Sequence, residues 1–313
     1  MRLKILVTGG AGFIGSHLVD KLLSENHEVG VLENLYSGNS QNLRKHEENP
    51  SFRFFEGDIR NEEDVEKALN DTEAVFHEAA ITSVPVSMER PDFTEEVNVQ
   101  GTVTLLEKCE ELGVEKLVYA STCAIYGDTE NLPVSEDCSP KFRSPYAKSK
   151  FLGEEKCREF EEKGDLETVI LRYFNVYGPG RGEDGEGGVI YKFLKRLDKE
   201  KSPVIYGDGN QTRDFVYVKD VVRANILALE KKGISGQAFN IGSGRAISIN
   251  ELLDTLLDLT GMYDLEPIHR EPRSGDIRHS RADLSKAAEK LNYTPDVSLK
   301  EGLRRLVEEE WNF

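Results

Sequence analysis

The chain has 313 residues, 38% of them hydrophobic and 31% charged, with 57 acidic against 40 basic side chains and a formal net charge of −17. That balance argues against general binding to nucleic acid or to an anionic membrane surface, and no apolar run reaches the roughly 20 residues of a membrane span. The length suits two lobes around one cleft, since single cores stop growing at about 250–300 residues.

The first residues enter a strand, Leu3–Thr8, with no leader pattern before it. Glycines follow at Gly9, Gly12 and Gly15, then an amphipathic helix through Leu18, Val19, Leu22 and Leu23. In such a loop the first glycine makes the tight turn, the second lets backbone approach a pyrophosphate, and the third lets helix pack on strand. The helix N-terminus then offers N–H groups and a positive dipole end to the phosphates. A second strand from His27 to Leu32 ends in Glu33-Asn34. An acid about 20 positions after the loop suits the adenosine ribose hydroxyls and repels a 2′-phosphate, so NAD is expected rather than NADP.

Further strand-like runs occur at Phe52–Glu56, Ala74–His77, Lys116–Ala120 and Thr168–Leu171, with helical patterns between them, notably Asp92–Leu112 and Pro145–Glu162. The alternation predicts a parallel sheet with helices on both faces. Ligands bind at the carboxyl ends of such strands, where Gly9, Asp58, Ala79 and Thr122 all fall. Tyr146 and Lys150 are four residues apart, hence on one helix face. An ammonium there favours the phenolate and makes a usable proton shuttle, and the Thr122 hydroxyl could bond the same reacting oxygen.

After Gly178-Pro179-Gly180 the texture changes. Gly182–Gly188 reads as a loop over the cleft. A helix Val189–Glu200, strands at Pro203–Tyr206 and Asp214–Val218, a helix from Asp220 and a strand at Phe239–Gly242 are expected. A helix then opens at Ser248 with Glu251 as its capping-box partner, and helices Leu284–Leu291 and Leu299–Glu310 close the chain. Between His269 and Arg281 lie Arg270, Arg273, Arg278 and a second histidine, His279, against only Glu271 and Asp276. A basic island in an acidic chain suggests an anionic ligand, or a solvated loop balancing nearby carboxylates. Cys109, Cys123, Cys138 and Cys157 form no CxxC pair and no metal spacing; free thiols in a reducing cytoplasm are expected, and no metal. The fold class expected is α/β: a Rossmann-type doubly wound parallel sheet with a smaller mixed α/β substrate-binding lobe. An NAD-binding domain over residues 1–177 and a second lobe over 178–313 are expected, with about 213–242 returning to the first.

These motifs resemble the extended short-chain dehydrogenase/reductase family, specifically its nucleotide-sugar epimerases and dehydratases. The resemblance covers essentially the whole chain. It is carried by Thr8 to Gly15, Gly57-Asp58-Ile59-Arg60, His77-Glu78-Ala79-Ala80, Asn98-Val99-Gln100-Gly101-Thr102 and Tyr126-Gly127, then by Arg172 to Pro179, Arg213-Asp214-Phe215, Phe239 to Gly242 and Arg273-Ser274-Gly275-Asp276. It implies a cofactor site of Gly9, Gly12, Phe13, Ile14 and Gly15 with Ala79, Ala80, Tyr146, Lys150 and Tyr173. Asp58 and Ile59 would cover the adenine, and Glu33, Asn34, Ser37 and Gly38 would surround the adenosine ribose. Thr122, Tyr146 and Lys150 would be catalytic. Asn175, Arg213 and Arg273 would hold the diphosphate of a nucleotide sugar, with Val189, Tyr206, Asp276 and Ser280 also on the substrate side. Asn98 reads as a buried support for the active-site helix.

The resemblance is strongest to the UDP-glucose and UDP-N-acetylglucosamine 4-epimerases, and two positions discriminate. Dehydratases of the family carry Asp and Glu directly after the catalytic threonine, and decarboxylases of UDP-glucuronate carry Ser and Glu; here Cys123 and Ala124 follow. Ser280 stands where a tyrosine in the group crowds out a 2-acetamide. A UDP-sugar substrate and a homodimer through the helices Asp92–Leu112 and Pro145–Glu162 are implied. The alternatives are a dehydratase, decarboxylase or glucuronate epimerase of the same family, or a non-catalytic NAD-binding regulator.

Overall fold

The computed structural model describes residues 2–129, 131–180, 188–272 and 277–311. Strand β1 (Lys4–Thr8) feeds two cores. Ile5 and Val7 pack with Leu18, Val19 and Leu22 of helix α1 (Phe13–Ser24), while Leu6 faces the opposite core with Val65 of α2 (Glu62–Leu69). A strand apolar on both faces fits only inside a covered parallel sheet. Its companions are β2 (Glu28–Glu33), β3 (Phe52–Glu56), β4 (Ala74–His77), β5 (Lys116–Thr122) and β6 (Glu167–Tyr173).

Three short strands follow that lie outside this sheet, β7 (Asn175–Tyr177), β8 (Val204–Tyr206) and β9 (Thr212–Arg213). After β10 (Phe215–Tyr217) the chain comes back to the sheet with β11 (Ala238–Ile241). The resulting seven-stranded sheet has the order β11-β6-β5-β4-β1-β2-β3, and every neighbouring pair is parallel. The order reverses between β1 and β4, which opens a crevice at their carboxyl ends. This is the doubly wound α/β architecture expected from the alternation of elements.

One face carries α1 and α8 (Val218–Glu230). The other carries α2, α5 (Gly101–Glu111) and α6 (Pro145–Lys163), with the short α3 (Val84–Glu89) and α4 (Pro91–Glu95) beside α6. A separate core joins α7 (Val189–Leu197), α9 (Ile249–Thr260) and α10 (Leu299–Glu310) through Phe193, Leu194, Leu252, Leu256, Leu303 and Leu306. Strand β12 (Ile247–Ser248) pairs antiparallel with β9, and β13 (Ile268–Arg270) parallel with β8. The capping box at Ser248 and Glu251 is present.

Several boundaries differ from the sequence pattern. The helix expected over Asp92–Leu112 is broken by a π turn at Glu96–Gln100. Asn98 causes the break: its side chain accepts from Ile81 N–H at 2.7 Å and donates to Ile81 C=O and to Ser149 Oγ, both at 3.0 Å. These bonds hold the extra residue of the turn in the core. The strand expected over Asp214–Val218 ends at Tyr217, and α8 begins at Val218 rather than Asp220. Residues 287–291 of the expected Leu284–Leu291 helix form a second π turn, and α7 stops at Leu197, short of Glu200. Of the loop expected at Gly182–Gly188, all but Gly188 lies outside the described residues. No helix among the described residues is long and apolar enough to cross a membrane.

Candidate active site

The glycine turn after β1 is held so tightly that two of its glycines admit no side chain. Gly9 has φ of 69°, and a Cβ there would lie 2.6 Å from the Ala79 nitrogen; at Gly15 it would lie 2.3 Å from the Gly9 carbonyl oxygen. Gly12 caps α1 with no side-chain hydrogen bond, and a Cβ on it would meet only Gly9 O at 3.1 Å, so the backbone there is open to close approach. This cradle fits the pyrophosphate of a dinucleotide at the α1 N-terminus. Phe13 and Ile14 form the helix's first turn. Gly15→Ala is expected to force the loop apart at a cost of about 1–3 kcal/mol and to strip NAD. Cofactor released from acid-quenched protein measures it, and full NAD occupancy in the variant would refute the fit.

Glu33 closes β2 and is 7% exposed. Its carboxylate accepts from Leu35 N–H at 2.9 Å and Ala11 N–H at 3.3 Å, so it splints the glycine loop as well as facing the expected ribose site. Burial raises its pKa against those bonds. Gly38 lies against it: a Cβ there would be 2.7 Å from Glu33 Oε2. Asn34 donates to Asp58 Oδ2 at 2.8 Å. The Arg60 guanidinium grips Asp58 at 2.9 and 2.8 Å and holds its pKa down to about 2. Ile59 is buried and Ser37 exposed. Ala79 and Ala80 follow β4, with the Ala79 backbone against Gly9.

Thr122 ends β5, pairs in register with Tyr173 at the end of β6, and accepts from Ala124 N–H at 3.1 Å. Ser144 caps α6 by accepting from Ala147 N–H, and Pro145 stands at its first position. Tyr146 and Lys150 therefore fall on consecutive turns. Ser149 Oγ donates to Tyr146 C=O at 2.9 Å and accepts from Asn98, so the π turn anchors this helix. Lys150 is 3% exposed, with Nζ 4.2 Å from the Tyr119 ring centroid. Burial pushes its pKa down to about 8, opposed foremost by the charge of Glu78.

Glu78 is a residue the sequence reasoning passed over, although it stands inside a quoted motif. Its signal was a carboxylate at the carboxyl end of the fully buried strand β4. It accepts from the Tyr173 hydroxyl at 2.7 Å, and that hydroxyl accepts from Asn225 Nδ2 at 2.8 Å. Burial pushes the Glu78 pKa up to about 7. His77 beside it is bonded to Thr8 and Thr102, and burial pushes it down to about 3, so it stays neutral.

From the second half of the chain, Asn175 donates through both N–H and Nδ2 to Asp214 C=O at 3.0 and 3.1 Å. The buried Asp214 carboxylate accepts from Ser243 N–H and Oγ, Gly244 N–H and Ala282 N–H, all within 3.0 Å. This hub ties Arg213 to the segment carrying Ser280, whose N–H donates to Thr212 C=O at 3.2 Å. Burial pushes the Cys123 thiol up to about 12. Cys123 is thus a neutral small residue, not a reactive thiolate. All four cysteines are free.

Val189 is the first residue of α7 and Tyr206 the last of β8. Arg273 and Asp276 lie outside the described residues. Arg278 of the basic island is paired with Asp208 at 2.7 Å, so for that residue the charge-balancing reading holds. Among the described residues no group of three His, Cys, Asp or Glu could hold a metal ion.

Residues 5–242 match the NAD dependent epimerase/dehydratase family, and the chain belongs to that family. A putative UDP-glucose 4-epimerase of Methanocaldococcus jannaschii is 44% identical over 306 residues, 97% of each chain. The crystal structure of UDP-glucose 4-epimerase from Thermotoga maritima with UDP-glucose superposes with a TM-score of 0.92 at 44% identity over 98% of both chains. The Thermus thermophilus UDP-glucose 4-epimerase complex with NAD gives 0.88 at 38%, again over 98% of both. Proteins named as a UDP-N-acetylglucosamine 4-epimerase, a UDP-glucuronate 4-epimerase and a UDP-N-acetyl-α-D-glucosaminuronate decarboxylase match along nearly the whole chain at lower identity. The cofactor is NAD.

Proposed function

We propose that the chain is a UDP-hexose 4-epimerase, interconverting UDP-glucose with UDP-galactose and UDP-N-acetylglucosamine with UDP-N-acetylgalactosamine. The observation that carries this reading is the pair after Thr122: Cys123 and Ala124 supply no carboxyl group for elimination or decarboxylation. NAD, when bound, supplies the acceptor and the returning donor of the sugar's C4 hydride. The protein handles the proton. Tyr146 as phenolate takes it from the C4 hydroxyl, Lys150 one turn away stabilises that phenolate, and the Thr122 hydroxyl holds the same oxygen. Asn175, Arg213 and Arg273 grip the diphosphate. Val189, Tyr206 and Asp276 are the further residues that the family resemblance assigns to the substrate. The small side chains of Cys123, Ala124 and Ser280 leave room for the ketone to present its other face.

In this reading residues 1–177, joined by about 213–242, bind the cofactor, and the remainder of 178–313 binds the UDP-sugar. The four free thiols suit a reducing cytoplasm, and the helices α5 and α6 are the faces for a homodimer. Proton NMR of the protein with equimolar UDP-glucose and UDP-N-acetylglucosamine tests the activity. Both galacto epimers should appear without net cofactor reduction. Release of carbon dioxide from UDP-glucuronate, or a 4-keto-6-deoxy product, would reverse the reading.

Ser280→Tyr tests the sugar preference separately. The phenol should cost about tenfold or more in kcat/KM for the N-acetylated sugar, the scale of a steric misfit of 1–3 kcal/mol, with little change for UDP-glucose. An unchanged rate on UDP-N-acetylglucosamine would remove Ser280 as the gate.

A further inference from the structure

The loop after β2 makes a turn that its sequence does not favour. Leu35 has φ of 58°, in the left-handed region that a bulky apolar residue rarely enters. Two hydrogen bonds hold it there: Glu33 Oε1 accepts from Leu35 N–H at 2.9 Å, and Asn34 Oδ1 accepts from Tyr36 N–H at 3.0 Å. Strain of this kind persists only where neighbouring groups enforce it, and it gathers at ligand clamps. The turn leaves Tyr36 52% exposed, yet sets its ring against a second one. The Tyr36 and Phe93 centroids are 5.5 Å apart, with the rings tilted by 54°.

Phe93 lies on α4 and is itself gripped. Arg90 Cζ is 4.2 Å from its centroid, and the Cζ of Arg60, which follows β3, is 5.6 Å from it. Arg60 also pairs with Glu96 at 2.8 Å while holding Asp58 at 2.9 and 2.8 Å. The α4 segment belongs to the connection that leaves β4, and the Asn98–Ile81 bonds fix the turn after it to that connection. In the sheet β4 lies on one side of β1, and β2 and β3 lie on the other. Through Phe93 and Glu96 the connection after β4 therefore reaches past β1 to the segments that leave the carboxyl ends of β2 and β3. Those segments carry Glu33, Asn34, Asp58 and Ile59, the residues expected around the adenosine.

We propose that Tyr36 and Phe93 are cofactor-retaining residues: their contact closes a clasp across the adenosine half of bound NAD and sets how slowly the cofactor leaves. It rests on the adenosine lying among Glu33, Asn34, Asp58 and Ile59, and on no particular sugar. The glycine cradle binds the pyrophosphate separately, so opening the clasp acts on the escape of the adenosine end and leaves the cradle as it is.

Protein loaded with radiolabelled NAD is chased with excess unlabelled NAD, and the label retained after rapid desalting gives the release rate. Tyr36→Ala and Phe93→Leu should each release NAD at least about threefold faster than the native protein, the scale of one aromatic pair. The double variant should release it no faster than the faster single, because one contact is lost in all three. Tyr36→Phe keeps the ring and should keep the native rate. Because Tyr36 is half-exposed, its variants should unfold at the native urea midpoint, which separates loss of the clasp from loss of the fold. A gain below about threefold in either single variant, or gains that multiply in the double, overturns the clasp. So does a Tyr36→Phe protein that releases NAD as fast as Tyr36→Ala. Ile59→Ala, at the expected adenine site, is the control. Faster release there with native release in the clasp variants overturns the clasp alone, and native release in all of them overturns the adenosine placement as well.

Discussion

Tyr146→Phe should lower kcat for UDP-hexose interconversion by about 10²–10⁴-fold, the range of one general acid–base group, and leave NAD bound. The substitution removes one oxygen and keeps the ring, at the second position of a helix already fixed by the Ser144 cap and Pro145. The backbone around it is held independently, because Ser149 bonds the Tyr146 carbonyl and Asn98 bonds Ser149. A lost rate with an intact fold therefore reports on the phenol alone. The measurement is a coupled assay of epimer formation beside a cofactor-release assay on the same preparation. Unchanged turnover would take the proton-transfer role away from Tyr146.

Glu154→Gln is expected to cost about 3–5 kcal/mol of folding stability, the price of leaving a buried charge without its partner. The Glu154 side chain is 0% exposed and that of Arg172 5%. The guanidinium meets the carboxylate at 2.9 and 2.7 Å, Ser121 Oγ donates to it at 2.5 Å, and Arg172 Nη1 continues to the Tyr126 hydroxyl and Glu136 C=O. Glutamine replaces the shape and one acceptor but leaves the arginine's charge stranded. Urea denaturation followed by far-UV circular dichroism gives the loss; a change below about 1 kcal/mol would mean that the cluster is held by hydrogen bonds rather than charge. Replacing both partners, Glu154→Leu with Arg172→Met, should lose less than Glu154→Gln alone. Because Ser121 adjoins Thr122, the single variant should also loosen the end of β5.

The sheet and glycine loop were legible because their signals are local: a strand's apolar run, a glycine at a forced φ, a helix cap. The pairings that shape the candidate site are not local. Thr212 and Ser280 are far apart in sequence yet bond through their backbones, beside the Asp214 hub that gathers Ser243, Gly244 and Ala282 around one carboxylate. Residue type alone did not show that Glu33 would spend its carboxylate partly on Ala11 and Leu35. Glu78 escaped notice because a carboxyl after a strand looks like solvent-facing loop until the Tyr173 hydroxyl is placed against it. The π turn at Asn98 left no break in the helical pattern, since its cost is met by Ile81, a residue from another element.

The late return of β11 to the sheet bears on how the protein is made. When residue 180 has left the ribosome, β6 has no neighbour on its outer side, and α1 lacks α8 across from it. Some sixty more residues, through Ile241, must be synthesised before that edge is paired. During the interval the nascent chain presents an open parallel edge and an uncovered apolar helix face, the features by which unfinished chains adhere to one another. The first 180 residues thus cannot complete the sheet, and a product truncated between β7 and β11 is expected to aggregate more readily than the full chain.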